Sequence, residues 1–391
     1  MRTMSVRAAL VAGALVWLGS GPLAAQEPWK ASYYPYLLKS PNDQLSLVVH
    51  YQYGQAADYV DRVPFTKSLS LEGGINASGS RFAVARYKAP RLAPGWRLQA
   101  EAGAVRENRF GYFGLGNDTP SDYDLPAGYD YYTRVSRNRY FGRLEVTRQI
   151  VGPLQVAVAG GVTDASYTAL PGGSQFQDDY FAVPPCLPPG SNCPPPPGDP
   201  SATDATARLT LLFDTRDNEF VTTKGVFAEG GLFAGSAGHG YNGYYGIARG
   251  YLPLWIGSVF AVRIVGRHLS EDAPLDARYD LSSWERNTPV LGGPESHRSF
   301  IYGRYAGRDL LLANVEIRQT ILDFADFGAI GAVAFLDAGR AKEGLPDESN
   351  DLRIGGGAGL TLRILRSTVL GFNFAGGPDG FRFSMGTGYT F

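Results

Sequence analysis

The fourteen residues from Asp351 to Ile364, DLRIGGGAGLTLRI, alternate in character without a break. Leu352, Ile354, Gly356, Ala358, Leu360, Leu362 and Ile364 fall on one side; Asp351, Arg353, Gly355, Gly357, Gly359, Thr361 and Arg363 fall on the other. Successive side chains of a strand point to opposite faces, so this segment is a β-strand with one apolar and one charged surface. The same period places Thr368, Leu370, Phe372 and Phe374 opposite Ser367, Gly371 and Asn373. In NVEIRQ, Val315 and Ile317 oppose Asn314, Glu316 and Arg318. A sandwich would bury such apolar faces between short strands. Strands of roughly 10 to 14 residues, whose second face mixes Arg and Glu with Gly, instead suit lipid outside and a polar lumen inside. Hydrocarbon then forces closure, because each unpaired backbone group there costs several kcal/mol. The predicted fold class is all-β: a transmembrane antiparallel β-barrel.

Fifteen segments carry the pattern: 45–53, 68–77, 81–89, 95–106, 137–150, 154–168, 204–214, 224–236, 241–253, 258–269, 309–319, 327–337, 351–364, 367–375 and 381–391. Single-chain bacterial barrels have even strand numbers. Ser32 to Lys39, SYYPYLLK, is therefore recruited despite Pro35. Sixteen strands are expected, with fourteen as the alternative. The short turns 253–257 and 365–366 are expected in the periplasm. The long segments 107–136, 169–203, 270–308 and 338–350 are expected outside the cell. Usage agrees: 50 Gly, 23 Tyr and 21 Phe stand against 3 Met and 4 His, a helix-poor, aromatic-rich balance.

The N-terminus carries a compartment signal. Arg2 and Arg7 flank the start of an apolar run, Ala8 to Leu18, which is followed by GSGPLAAQ. That order is expected of a secretory signal peptide, residues 1–25, cut after Ala25. A membrane anchor is the alternative, but a spanning helix needs about 20 apolar residues. The barrel is then expected over residues 26–391. Cys186 and Cys193 share one Pro-rich stretch, PPCLPPGSNCPPPPGDP, which reads as a loop. In an exported chain a local disulfide between them is expected. A metal site is the alternative, with neither a CxxC pair nor a nearby His in its support.

Four stretches go beyond barrel grammar: FDTRDNEFVTTKG (213–225), LGGPESHRSFIYGRYAGRDLLLANVEIR (291–318), FLDAG (335–339) and the closing GFRFSMGTGYTF. In this order they resemble the BamA/TamA superfamily of outer-membrane insertases and translocators. That family's pattern runs D-x-R-D-N…P-T-x-G, G-G…V-R-G-F/Y, an E-x-R strand, F-x-D-x-G and an aromatic C-terminal strand. The match covers residues 205–391 strongly. It departs at His297-Arg298-Ser299-Phe300, where Val and Gly are replaced, and at Thr222 in place of proline. The resemblance implies a 16-stranded barrel in the bacterial outer membrane, acting in protein or lipid assembly or translocation. About 20 residues lie between the expected cleavage site and the first strong strand, too few for a domain. A barrel-only member without periplasmic repeat domains is therefore expected.

The resemblance also implies a luminal lock. Arg298 would fold back with Phe300 to meet Glu316 and Asp337 on the wall, where Phe335 and Gly339 share Asp337's face. A guanidinium between two carboxylates is a strong planar contact. Gly355, Gly357 and Gly359 remove side chains that would block an entering loop. Read from the residues alone, Arg298 could equally be a solvated loop arginine and DAG a turn. Asp214, Asp217 and Asn218 suit a turn that caps its own backbone, with a role at the periplasmic rim as the alternative. Alternation puts Tyr389 and Phe391 toward lipid at the interfacial girdle. A C-terminal strand ending in Phe resembles the signal read by the barrel assembly machinery, which would be a partner for the chain's own insertion.

Catalytic chemistry finds little support. His50, His239, His268 and His297 are scattered without metal-ligand spacing. AGSAG (234–238) lacks the first glycine of a nucleophile elbow and precedes no helix. No catalytic residue, cofactor or metal is expected, and a formal net charge of −1 gives no basic field for nucleic acid. The expected partners are outer-membrane lipid and a client or periplasmic protein. The competing readings are a passive channel and a barrel enzyme acting on lipid or a surface polymer.

Overall fold

Each alternating segment becomes a strand paired with the next in sequence. The computed structural model describes residues 28–39, 43–58, 61–119, 131–182, 197–282, 287–345, 348–364 and 368–391. The expected signal peptide, both cysteines and the expected turn 365–366 lie outside the described residues. The first eleven strands are β1 Lys30–Lys39, β2 Leu45–Ala56, β3 Phe65–Asn76, β4 Arg81–Ala93, β5 Trp96–Gly111, β6 Arg134–Val151, β7 Leu154–Ala169, β8 Ala202–Asp214, β9 Gly225–Ser236, β10 Gly240–Pro253 and β11 Ser258–Leu269. A short hairpin follows, β12 Asp280–Ser282 with β13 Asn287–Pro289. The wall resumes with β14 Asp309–Asp323, β15 Gly328–Lys342, β16 Arg353–Ile364, β17 Thr368–Gly377 and β18 Gly380–Thr387. Apart from the hairpin these form one antiparallel sheet of 16 strands, in sequence order. The count of sixteen stands, with Pro35 inside β1 opposite Val49.

Burial follows the alternation. On β8, Leu209 and Leu211 are 55% and 53% exposed, whereas Arg208, Thr210 and Leu212, which alternate with them, are buried. The apolar face therefore looks outward, as a lipid-facing barrel requires. Among the described residues no ladder joins β18 to β1, so these two strands are the free edges of the sheet. β1 and β18 are also short, at 10 and 8 residues against 18 for β6.

Several boundaries differ from expectation. β5 and β6 run further out than 106 and 137, and β15 continues past 337 to Lys342. Loops pack on these extensions. Phe110, Tyr112, Tyr167, Phe176, Leu275 and Tyr279 form a small apolar core at the end of the barrel that carries the long loops. It includes two short helices, α1 Gln175–Tyr180 and α2 Leu275–Tyr279. Ser174 caps α1, its Oγ accepting the Gln177 N–H at 3.2 Å. Burying these rings by about 25 cal/mol per Å² gives the loops a core of their own.

The clearest difference is at the end of the chain. β18 stops at Thr387, and the backbone turns inward at Gly388, whose φ of +85° suits glycine alone. The Gly388 N–H donates to the Val369 carbonyl at 2.7 Å. Thr390 and Phe391 are then buried in the lumen, and Phe391 packs with Tyr251 and Ala261. The expectation that Tyr389 and Phe391 face lipid is thus corrected. Period two continues only while the backbone stays extended.

Candidate functional site

The polar face of β14 carries Asn314, Glu316 and Arg318 at successive inward positions, and that of β15 carries Phe335, Asp337 and Gly339. Register sets Asn314 opposite Asp337 and Glu316 opposite Phe335. The segment 290–308 folds back against this wall. It closes on itself through a bridge between Leu291 and Tyr305 and a 3.0 Å bond from the Gly293 N–H to the Phe300 carbonyl. This fold-back delivers Arg298 into the wall.

Arg298 is 2% exposed and its carboxylate partners less. Its Nε and Nη2 donate to Asp337 Oδ2 and Oδ1 at 2.9 and 2.7 Å, a two-pronged pairing. Nη1 donates to Glu316 Oε1 at 2.5 Å. The Arg298 backbone N–H also donates to Asp337 Oδ2, at 2.9 Å. The guanidinium lies 3.5 Å from the centroid of the Phe335 ring, within cation–π range. Phe300 is buried and meets Tyr305 edge-on at 5.1 Å. A Cβ at Gly339 would come 2.6 Å from Leu291 Cδ2 and 2.9 Å from the Leu311 carbonyl, so glycine there admits the fold-back. At Gly355 it would come 2.1 Å from Ser299 Oγ, whose hydroxyl donates to the Gly376 carbonyl at 3.0 Å. The structure thus brings Arg298, Phe300, Glu316, Phe335, Asp337 and Gly339 into one cluster. Tyr389 and Phe391 join its border.

Residues not singled out in the sequence complete the cluster. Asn314 Nδ2 donates to Asp337 Oδ1 at 2.7 Å and to the Ser296 carbonyl at 2.8 Å. Arg318 Nε donates to Glu316 Oε2 at 2.7 Å, while its Nη2 donates to the Phe391 carbonyl at 2.8 Å. Arg263, on β11, donates from Nε to Asn314 Oδ1 at 2.9 Å and from Nη1 to the Thr390 carbonyl at 3.2 Å. The lock therefore continues without a gap to the inturned chain end. Asn314 and Arg318 sit two residues either side of Glu316, so alternation already put them on the same face. Arg263 had no such marker. His297 Nε2 donates to the Arg353 carbonyl at 2.9 Å, and burial holds its imidazole below the ordinary value. Arg318→Ala is expected to free the inturned segment. A Thr390→Cys reporter should label severalfold faster with a water-soluble maleimide in that background than alone.

The lumen is filled unevenly. The fold-back packs on the inward faces of β10, β11, β14 and β15; on the β1–β5 side Ser46, Val48, Ser68 and Val84 are buried, while other inward residues keep water access. Tyr34 is 47% exposed and the Arg86 side chain 39%. There Arg86 bridges Glu72 at 3.0 Å and Glu101 at 2.7 Å, and the Tyr36 hydroxyl donates to Glu72.

Comparison with known proteins places this arrangement. The profile of the Omp85 superfamily domain matches residues 66–391. The chain belongs to the Omp85 superfamily. No curated protein matches its sequence. Among solved structures, BamA from Haemophilus ducreyi lacking POTRA domains 1-3 aligns with a TM-score of 0.55 at 14% identity, over 93% of this chain and 70% of that one. CdiB from Escherichia coli aligns with a TM-score of 0.57 at 13% identity, over 91% of this chain and 61% of that one. CdiB from Acinetobacter baumannii gives 0.50 at 10%, over 92% and 65%. The chain thus spans less than two thirds of either CdiB. At such identities the likeness is one of fold: a 16-stranded barrel of the bacterial outer membrane. Omp85 membership carries a family-level role in outer-membrane assembly or translocation.

Proposed function

We propose that this Omp85 barrel inserts client proteins into the outer membrane along the free edges of β1 and β18, with the Arg298 cluster holding the lumen wall in shape beside them. The observation that carries this reading is the absence, among the described residues, of a β18–β1 ladder. Unpaired backbone groups at a sheet edge are a template for another strand, and in hydrocarbon the drive to pair them is stronger still. The lock, rather than strand pairing, would then keep the last strands in place. Lipid is the alternative client. The Tyr389–Phe391 end remains our choice for the assembly signal, since a signal read from the unfolded chain does not depend on where the folded barrel stores it. We also retain a disulfide between Cys186 and Cys193 and a periplasmic docking partner, which crosslinking from the periplasmic turns in cells would capture.

The test is reconstitution in liposomes with a second, unfolded barrel. Insertion should be faster with the protein than without, and Arg298→Ala should lose most of the gain. No acceleration, or an unchanged rate in the variant, rejects the reading. A passive channel draws support from the water access of Tyr34 and Arg86 on the β1–β5 wall, but the fold-back into the lumen opposes it. Steady, solute-selective conductance from the unaltered protein would favour the channel.

A further inference from the structure

The loop between β8 and β9 has the sequence of a rim turn, yet it reaches far from its own strands. Its interior is self-braced. Asp217 Oδ1 accepts the N–H groups of Asn218, Thr223 and Lys224 at 3.0, 3.0 and 3.2 Å, and Asn218 Oδ1 accepts those of Phe220 and Val221 at 2.7 and 2.9 Å. Burial alone would raise the Asp217 carboxyl, but bonds from Thr223 and these N–H groups hold it below the usual range. Such a loop moves as one piece.

Its tip is fastened elsewhere. Glu219 Oε1 and Oε2 accept from Arg97 Nη1 and Nη2 at 2.8 and 2.7 Å, with side chains 15% and 17% exposed. The Glu219 N–H donates to the Arg62 carbonyl at 3.0 Å, and Arg62 Nη2 lies 2.9 Å from Asp214 Oδ2. Arg97 is an inward residue near the periplasmic end of β5, and Arg62 lies in the loop between β2 and β3. Going along the wall from β8, two strands intervene before β5 and four before β3. At about 4.8 Å per strand the rim from β8 to β5 is about 14 Å, and because Arg97 faces the lumen, its pairing with Glu219 draws the tip of the loop inside the mouth. On that side of the lumen Tyr34 and Arg86 keep water access.

We propose that the 215–224 loop is a strap that closes the periplasmic mouth beneath the open side of the lumen, latched by the Glu219–Arg97 pair. The latch includes the partly wet Glu219–Arg97 pair, the Glu219–Arg62 backbone bond and the Arg62–Asp214 pair, with Arg62 42% exposed, whereas the Arg298 cluster is buried and multiply bonded. The strap is therefore the part that yields first, pivoting on β8 and β9 and connecting the lumen to the periplasm while the wall stays intact. This goes beyond the insertion reading, and its readout needs no client.

Labelling of a Gln99→Cys reporter, on the wall above the strap, by an impermeant maleimide from the periplasmic side of the full chain tests it. In that background Arg97→Glu and Glu219→Arg should each raise the labelling rate about tenfold, equivalent to about 1.4 kcal/mol. Combining them should restore the slow rate, because the pair is re-formed with its charges exchanged. Single variants that label no faster than the parent, or a combined variant as fast as the singles, overturn the proposal. Should the charge reversals not fold, Glu219→Gln decides. The same reporter should then react about tenfold faster, again about 1.4 kcal/mol. An unchanged rate overturns the strap.

Discussion

Arg298→Ala is expected to lower the unfolding free energy by about 3–5 kcal/mol, because it strands Asp337 as a buried carboxylate without its cation and leaves Glu316 to Arg318 alone. Both carboxylates are 0–1% exposed, so water cannot take over. Urea titration of the barrel in lipid, followed by heat-dependent gel mobility, reads the loss directly. A combined Arg298→Met, Asp337→Asn variant should lose less than Arg298→Ala, since Glu316 keeps Arg318 and no carboxylate is left without a cation. An equal or larger loss would place the stabilisation in packing of the fold-back instead. Acid gives a further handle on the same cluster. The folded pKa of His297 is depressed by burial, so the folded state disfavours the proton. The His297 contribution is complete above the usual imidazole value of about 6.5 and is lost as pH falls below it. His297→Gln should flatten that acid limb.

Gly357→Ala is expected to be the most damaging single-methyl change in the wall. A Cβ at Gly357 would lie 2.0 Å from the Phe374 carbonyl oxygen and 2.8 Å from Ala375 Cα, both backbone atoms of β17. It would also meet the Phe335 ring at 2.9 Å. Backbone cannot rotate away, so β16 and β17 must separate, at or above the upper end of the about 1–3 kcal/mol typical of overpacking. Because Phe335 is the ring beneath Arg298, the strain passes to the lock. Gly142→Ala is the control: nothing lies within 4 Å of a Cβ there. Equal folding yields for the two variants would show that the sheet at Gly357 gives way easily.

The lock was legible because its partners sit on strands. Once Val315 and Ile317 face out, Glu316 must face in, and the same logic places Asp337 and, two residues from Glu316, Asn314 and Arg318. Arg298 is different. It lies on a loop without periodicity, and only the family resemblance pointed it at those carboxylates. The strap was hidden for a related reason. The loop's internal bonds are local and readable from DTRDN, but Arg97 and Glu219 are more than a hundred residues apart, and no spacing rule joins them. Phe391 failed in the opposite way. Its alternation was correct as far as Thr387, and one glycine then released it into the lumen.

By itself the sequence determined which residues meet lipid and which meet the lumen, because alternation is a property of each strand and needs no neighbour. It marked fifteen of the sixteen strands for the same reason, while β1, whose SYYPYLLK is not cleanly two-sided, was reached only through the even count of single-chain barrels. Tertiary structure alone decided where the chain leaves the sheet. The inturn at Gly388, the fold-back that carries Arg298 and the reach of Glu219 each depend on donors, acceptors and space supplied by distant strands, and those exist only once the barrel has curled around them.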